Sequence, residues 1–150
     1  MSFNIAIDGP AGAGKSTIAK QLAKELSFIY VDTGAMYRSM ALYFMRNDIA
    51  KEDEAAISDA CKTVEVSIAY ENGEQQVLLN GENVSKEIRK EEVGKMASAT
   101  SVYKEVRKKL VELQQKLAAD KDVILLQVLK QEPREDIRNC RKRVLPVTWK

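Results

Sequence analysis

The first third of the chain alternates short apolar runs with helical patterns. Residues 3–7 and 28–31 are apolar runs of strand length, which predict two buried strands. From Lys15 onwards, apolar residues recur at helical spacing and predict one buried face. That face consists of Ile18, Ala19, Leu22, Ala23 and Leu26. A second helix pattern follows residue 32, with Met36, Met40 and Phe44 on one face and Tyr37 and Ala41 beside it. The alternation of strand and helix predicts an α/β fold with a parallel sheet.

The pattern changes in the middle of the chain. After a short predicted helix at residues 51–62, two strand-like runs flank Asn72-Gly73, which is a typical hairpin turn. Asn80-Gly81 predicts a second turn, so we expect a small antiparallel insert in the fold. A helical core stripe and a buried strand at residues 122–126 then return the chain to the parallel sheet. The stripe consists of Val102, Val106, Leu110, Leu113 and Leu117.

Composition narrows the possible chemistry. The 150 residues carry a net charge of +2, and the basic run at residues 138–143 favours a solvated segment over a nucleic-acid site. No histidine is present, which excludes a Ser-His-Asp triad. The two cysteines form no C-x-x-C motif, and no apolar run reaches the length of a membrane span. We therefore expect a cytoplasmic monomer that binds neither nucleic acid nor membrane.

The glycine-rich stretch between the first strand and the first helix predicts a phosphate-binding loop. Residues 9–16 fit G-x-x-x-x-G-K-[ST] at every fixed position. Phosphates must approach the backbone N–H groups closely there, and the N-terminus of the following helix attracts anions. Lys15 can reach the β- and γ-phosphates of a nucleotide, and Ser16 can offer its hydroxyl to Mg²⁺.

A second polar motif follows the second strand directly. Asp32 and Thr33 begin the segment "DTGAMYR", at the sheet edge where α/β folds bind ligands. Arg38 lies about one and a half turns into the next helix. Its guanidinium could clamp an acceptor phosphate through two hydrogen bonds, or it could be a solvated surface arginine.

Together these motifs resemble the cytidylate kinase family of P-loop nucleoside monophosphate kinases. "IDGPAGAGKST" is similar to the family's opening and "VDTGAMYR" to its acceptor-binding turn. "LNGENVSKEIRKEEVGKMAS", residues 79–98, resembles the family's distinctive insert, and residues 102–118 resemble the helix after it. The resemblance covers residues 3–124. It implies transfer of the γ-phosphoryl group of ATP, with Mg²⁺, to CMP or dCMP.

The resemblance also implies roles for individual residues. Lys15 and Arg38 would be the catalytic residues, and Ser16 would bind the metal ion. The residues that would hold the ATP phosphates are Gly9, Pro10, Ala11, Gly12, Ala13, Gly14, Lys15, Ser16 and Thr17. The residues that would contact the acceptor are Thr33, Tyr37, Arg38, Ser98 and Arg107. Taken alone, Ser98 would be an ordinary helix serine.

The chain departs from the family pattern after Ile124, where the family continues with a segment close to "DGRDIGT". We expect a P-loop, doubly wound parallel sheet with helices on both faces and the antiparallel insert, and with the C-terminal strands and lid missing. The predicted segments are a first half of the core (1–62), a monophosphate-binding insert (63–98), a return to the core (99–126) and a divergent, truncated or out-of-frame tail (127–150).

Two alternatives to an active cytidylate kinase remain at this point. One is a nucleotide-binding remnant that does not transfer phosphate, because lid arginines can be worth 10³ or more in rate. The other is a different P-loop class. A GTPase would carry an N-K-x-D motif, which this sequence lacks.

Overall fold

The computed structural model describes residues 3–7 and 14–126, with side chains to Ile124. The parallel strands are β1 (Asn4–Ile7), β2 (Ile29–Val31) and β6 (Val123–Leu126), and the antiparallel strands are β3 (Val66–Glu71), β4 (Glu74–Leu79) and β5 (Glu82–Asn83). The helices are α1 (Lys15–Leu26), α2 (Thr33–Arg46), α3 (Glu54–Ala60), α4 (Glu91–Thr100) and α5 (Lys104–Asp120), with a 3₁₀ turn at Glu87–Arg89. The predicted phosphate-loop residues Gly9 to Ala13 and the tail lie outside the described residues.

The chain divides into two compact units. One is the parallel-sheet unit, up to Asp32 and from Gln115 onwards, and the other is the antiparallel-sheet unit, Thr33–Gln114. The segment boundaries expected from the sequence remain a prediction.

The parallel-sheet unit places β6 between β1 and β2. Ile124 of β6 lies opposite Ile5 on one side and Tyr30 on the other. Parallel strands require long crossover connections, and α1 supplies the connection between β1 and β2. The predicted parallel α/β arrangement is therefore confirmed.

Helix α1 buries a narrower face than the hydrophobic pattern predicts. Ala19 and Ala23 are buried, whereas Ile18 and Leu26 are 37% and 45% exposed. The two alanines belong to one core cluster with Ile7, Tyr30 and Ile124 of the three strands, and Leu22 packs partly buried against it. Beyond the helix, the N–H of Phe28 donates to the carbonyl of Ala23 at 2.8 Å, so the predicted second strand begins one residue later than expected.

The antiparallel-sheet unit contains the predicted hairpin. β3 pairs with β4, and β4 pairs with β5. Asn72 and Gly73 have φ values of 52° and 78°, and Asn80 and Gly81 have φ values of 48° and 86°. Asparagine and glycine tolerate this left-handed region, so both predicted turns are confirmed.

Helices α2 and α5 confirm most of the predicted core. Met36, Met40 and Phe44 of α2 are fully buried, as the pattern predicted. The stripe on α5 is also buried, except for Val102, which is 62% exposed. Its assignment to the stripe is wrong, because α5 begins at Lys104 and Val102 lies in the turn before it.

Helix α3 is shorter than its pattern suggested. The side chain of Asp53 accepts a hydrogen bond from the backbone N–H of Ala56 at 3.0 Å and caps the helix, which then begins at Glu54. Residues 51–53 therefore precede the helix.

Candidate functional site

The N-terminus of α1 is built to receive an anion. Its cap residue Gly14 has φ 73°, and its carbonyl accepts hydrogen bonds from the N–H groups of Thr17 and Ile18 at 3.1 and 3.2 Å. Glycine provides no side chain to cap the helix, and the first turn contains no acidic residue. No side chain of the described residues therefore caps the start of α1, where the helix dipole favours an anion next to the half-buried Lys15.

In the parallel-sheet unit, the phenol of Tyr30 is hydrogen-bonded with Ser16 and lies within the electrostatic influence of Asp32. Burial above all, and then the charge of Asp32, raise the pKa of Tyr30, while a side-chain hydrogen bond with Ser16 lowers it. Hydroxyl and carboxylate oxygens are the ligands that Mg²⁺ prefers. The exposed Ser16 therefore fits the metal-binding role that the resemblance implies. The described residues contain no cluster of three acidic or other metal-binding side chains, but Mg²⁺ beside nucleotide phosphates needs only one or two protein groups.

In the antiparallel-sheet unit, the guanidinium of Arg38 is held by backbone carbonyls. Its Nη1 donates to the carbonyl of Ile88 at 3.0 Å and, more weakly, to that of Lys90 at 3.5 Å. These carbonyls belong to the 3₁₀ turn and to the cap of α4. Within the described part of the chain, Nη2 and Nε make no hydrogen bond, and an arginine can donate five. Arg38 is therefore oriented by the protein while several of its donors are left for a ligand.

The structure reveals a contact of Arg38 that the sequence reasoning missed. Gly94, in the interior of α4, faces the guanidinium so closely that a Cβ added there would lie 2.9 Å from Nη2 and 3.0 Å from Nη1. The sequence contained a weak signal for it, since a glycine inside a helical pattern destabilises the helix by about 1 kcal/mol relative to alanine.

Ser98 and Arg107 both bond to Ser101, in the turn between α4 and α5. The hydroxyl of Ser101 donates to the carbonyl of Ser98 at 3.0 Å, and Nε of Arg107 donates to the carbonyl of Ser101 at 2.9 Å. Ser98 lies four residues after Gly94 and so on the same face of α4. Both Ser98 and Arg107 are exposed, and each is hydrogen-bonded to Ser101.

The arginines of this unit differ in whether a carboxylate neutralises them. Arg46 forms a bidentate ion pair with Glu82, with N–O distances of 2.8 and 3.0 Å, and also pairs with Glu87. The bond to Arg46 lowers the pKa of Glu82. By contrast, no carboxylate in the described ranges lies within 4.0 Å of Arg38 or Arg107. The charges of these two arginines are available to an anion, whereas Arg46 serves the internal structure.

The remaining predicted acceptor residues lie at the start of α2. Thr33 is the first residue of that helix, directly after Asp32, and Tyr37 immediately precedes Arg38. Both side chains are half-buried. Their predicted contact with the acceptor stays a prediction. None of the helices in the part of the chain that the structure describes is long and apolar enough to cross a membrane.

Comparison with known proteins places these motifs in one family. The chain is 48% identical over 123 residues to the cytidylate kinase of Caldicellulosiruptor bescii, covering 82% of this chain and 54% of the relative. It is 46% identical over 121 residues to that of Geobacter sp. strain M21, covering 81% and 52%. The chain thus spans about half the length of the curated relatives it matches. A family model described as cytidylate kinase matches residues 5–126, most of the chain, and the chain therefore belongs to the cytidylate kinase family.

Proposed function

We propose that this chain binds ATP and a cytidine monophosphate and transfers the γ-phosphoryl group of ATP to CMP or dCMP. The observation that carries the proposal is the family match over residues 5–126, which includes both the α1 N-terminus and Arg38. The products would be ADP and CDP or dCDP.

The start of α1 supports the donor half of the proposal. A helix start without a side-chain cap, the ammonium of Lys15 and the dipole of a twelve-residue helix all favour the triphosphate of ATP. Ser16 would hold Mg²⁺ together with phosphate oxygens. When bound, Mg²⁺ supplies neutralisation of the phosphate charge during transfer.

The antiparallel-sheet unit supports the acceptor half. The guanidinium of Arg38 is fixed by two carbonyls, and neither Arg38 nor Arg107 is neutralised by a carboxylate among the described residues. A monophosphate is a dianion that matches the planar fork of a guanidinium through two parallel hydrogen bonds. We assign the acceptor phosphate to Arg38, with Arg107 as a second cation and Ser98 at the cytosine edge.

The reaction requires mainly positioning and charge neutralisation. An oxygen of the acceptor phosphate attacks the γ-phosphorus of ATP as the bond from that phosphorus to the β-phosphate oxygen breaks. The transition state is loose, so catalysis of this reaction depends on alignment of the two nucleotides and on cations around the transferred group. Lys15 and Arg38 would perform those tasks on the donor and acceptor sides.

ADP formation from ATP, with and without CMP, tests the proposal on the purified chain. We expect ADP formation that depends on CMP, and binding of both nucleotides by isothermal titration calorimetry. In Lys15→Ala, loss of a charge-assisted hydrogen bond of about 1.5–3 kcal/mol should weaken ATP binding by roughly 10- to 150-fold. CMP binding should not change in this variant.

Each outcome separates one part of the proposal. Binding of both nucleotides without CMP-dependent ADP formation would identify a nucleotide-binding chain that does not transfer phosphate. Unchanged ATP affinity in Lys15→Ala would contradict the phosphate-loop assignment. Absence of CMP binding by the unmodified chain would refute the acceptor half.

A further inference from the structure

Gly94 makes an unusual contact for a residue in the interior of a helix. The three heavy atoms nearest to the position of a Cβ on Gly94 all belong to Arg38, namely Nη2 at 2.9 Å, Nη1 at 3.0 Å and Cζ at 3.1 Å. Real Cβ atoms essentially never lie closer than 3.0 Å to a non-bonded heavy atom of another part of the chain. The guanidinium therefore occupies space that any side chain at this position would need.

The backbone of Gly94 gives no other reason for a glycine. The glycines with positive φ in the described ranges are Gly14, Gly73 and Gly81, so Gly94 has a backbone conformation that alanine adopts readily. Its N–H donates to the carbonyl of Lys90 at 3.2 Å as an ordinary helical bond. Glycine is otherwise disfavoured inside helices, because it restricts the unfolded chain least.

We propose that Gly94 is a positioning residue for the acceptor phosphate. The absence of a side chain at Gly94 lets the guanidinium of Arg38 lie against α4 while Nη1 reaches the carbonyls of Ile88 and Lys90. With Nη1 fixed in this way, Nη2 and Nε are held in one orientation toward a ligand. This inference rests on the proposed function, in which Arg38 binds the phosphate of CMP.

An alanine at position 94 would displace the guanidinium rather than unfold the protein. The clash involves the end of a long, flexible side chain, which can move away from a new methyl group at little cost. The movement would break or lengthen the bonds to Ile88 and Lys90 and would shift the donors that meet the phosphate. Displacement of a binding group by about 1 Å can cost as much as a hundredfold in function.

The experiment measures ligand affinity in Gly94→Ala, Arg38→Met and the double variant by titration calorimetry or NMR. The probes are CMP, cytidine (which lacks the phosphate) and ATP. We expect Gly94→Ala to raise the Kd for CMP about tenfold, with the Kd values for cytidine and ATP unchanged. If Gly94 acts through Arg38, adding Gly94→Ala to Arg38→Met should cause no further loss of CMP affinity.

A matched control and thermal unfolding distinguish positioning from general damage. Lys95→Ala changes the neighbouring exposed position of α4, whose ammonium pairs with Glu91, and should leave CMP affinity within about twofold. Gly94→Ala should unfold at a temperature no lower than the unmodified chain. If it unfolds earlier, the double variant should recover, because Arg38→Met removes the guanidinium and leaves room for the methyl group.

The outcomes separate this inference from the proposed function. If Arg38→Met loses CMP affinity but Gly94→Ala does not, the role of Gly94 is refuted and the acceptor assignment stands. Equal losses of CMP and cytidine affinity in Gly94→Ala would also refute positioning through the phosphate. If Arg38→Met binds CMP as well as the unmodified chain does, the acceptor role of Arg38 fails, and the role of Gly94 fails with it.

Discussion

Lys109 allows a quantitative test of how α5, the helix that carries Arg107, is fixed to the hairpin. The Lys109 side chain is only 7% exposed, and its Nζ lies 3.3 Å from Oε1 of Glu112 and 3.9 Å from Oε1 of Glu65. Glu112 is on the same helix, whereas Glu65 immediately precedes β3. The two carboxylates are 66% and 51% exposed. A buried ammonium is thus balanced by two carboxylates that still contact water.

The expected loss of unfolding free energy differs sharply between variants that lose the carboxylates and the variant that loses the ammonium. Each single change, Glu65→Gln or Glu112→Gln, should cost about 0.5 kcal/mol, because half-exposed ion pairs are screened by solvent. The double change leaves the buried ammonium without a counter-charge and should cost about 2–3 kcal/mol, below the 3–5 kcal/mol typical of fully buried pairs. Lys109→Met keeps the packing of the side-chain stem and removes the charge, so its cost should stay within about 1 kcal/mol.

Urea denaturation of the four variants measures these differences as shifts of the midpoint at constant slope. The double variant should lose more stability than the two single losses combined, since the three groups are coupled. Adding Lys109→Met to the double variant should restore most of the stability. The reasoning would be refuted if Lys109→Met alone were as unstable as the double glutamine variant, because packing rather than charge balance would then dominate.

Three further predictions concern the same unit. Gly81→Ala should destabilise the protein by about 1–2 kcal/mol, because φ is 86° at this position. Gly94→Ala should not destabilise it, so equal shifts of the unfolding temperature in the two variants would contradict the prediction. Arg46 lowers the pKa of Glu82. The pair therefore stabilises the fold fully at pH values above the pKa of Glu82 in the unfolded chain, and this stabilisation is lost as the pH falls through the lower pKa of the folded chain. Glu82→Gln should flatten the acid side of the plot of unfolding free energy against pH, and an unchanged plot would count against the pair. Burial raises the pKa of Cys61 to about 11 from 9.0. The stability that the buried neutral thiol contributes is therefore fully present below about pH 9 and is lost between pH 9 and 11, and Cys61→Ala should remove this decrease of unfolding free energy with pH. The native thiol should also resist iodoacetamide at pH 8, as peptide mass spectrometry can show.

The sequence by itself determined the local elements of this protein. The spacing of Met36, Met40 and Phe44 predicted the buried face of α2, and Asn72-Gly73 predicted the hairpin. These signals are local, because helical periodicity and the φ preference of a turn are properties of neighbouring residues. The limits of the helices follow less directly from the sequence, since caps such as Asp53 depend on a single hydrogen bond. Val102 matches the helical spacing of α5 but lies outside the helix.

Only the tertiary structure decided which polar groups meet. Arg38 and Arg46 lie two turns apart on the same helix and look equivalent in the sequence. Arg46 meets Glu82, 36 residues away, whereas Arg38 meets the carbonyl of Ile88, 50 residues away, and the bare backbone of Gly94. Such contacts depend on how α2 packs against the hairpin and α4, which no local pattern encodes. The charge of Arg46 is neutralised within the fold, whereas no carboxylate of the described residues pairs with Arg38. Packing rather than residue type brings a carboxylate to one arginine and a glycine to the other.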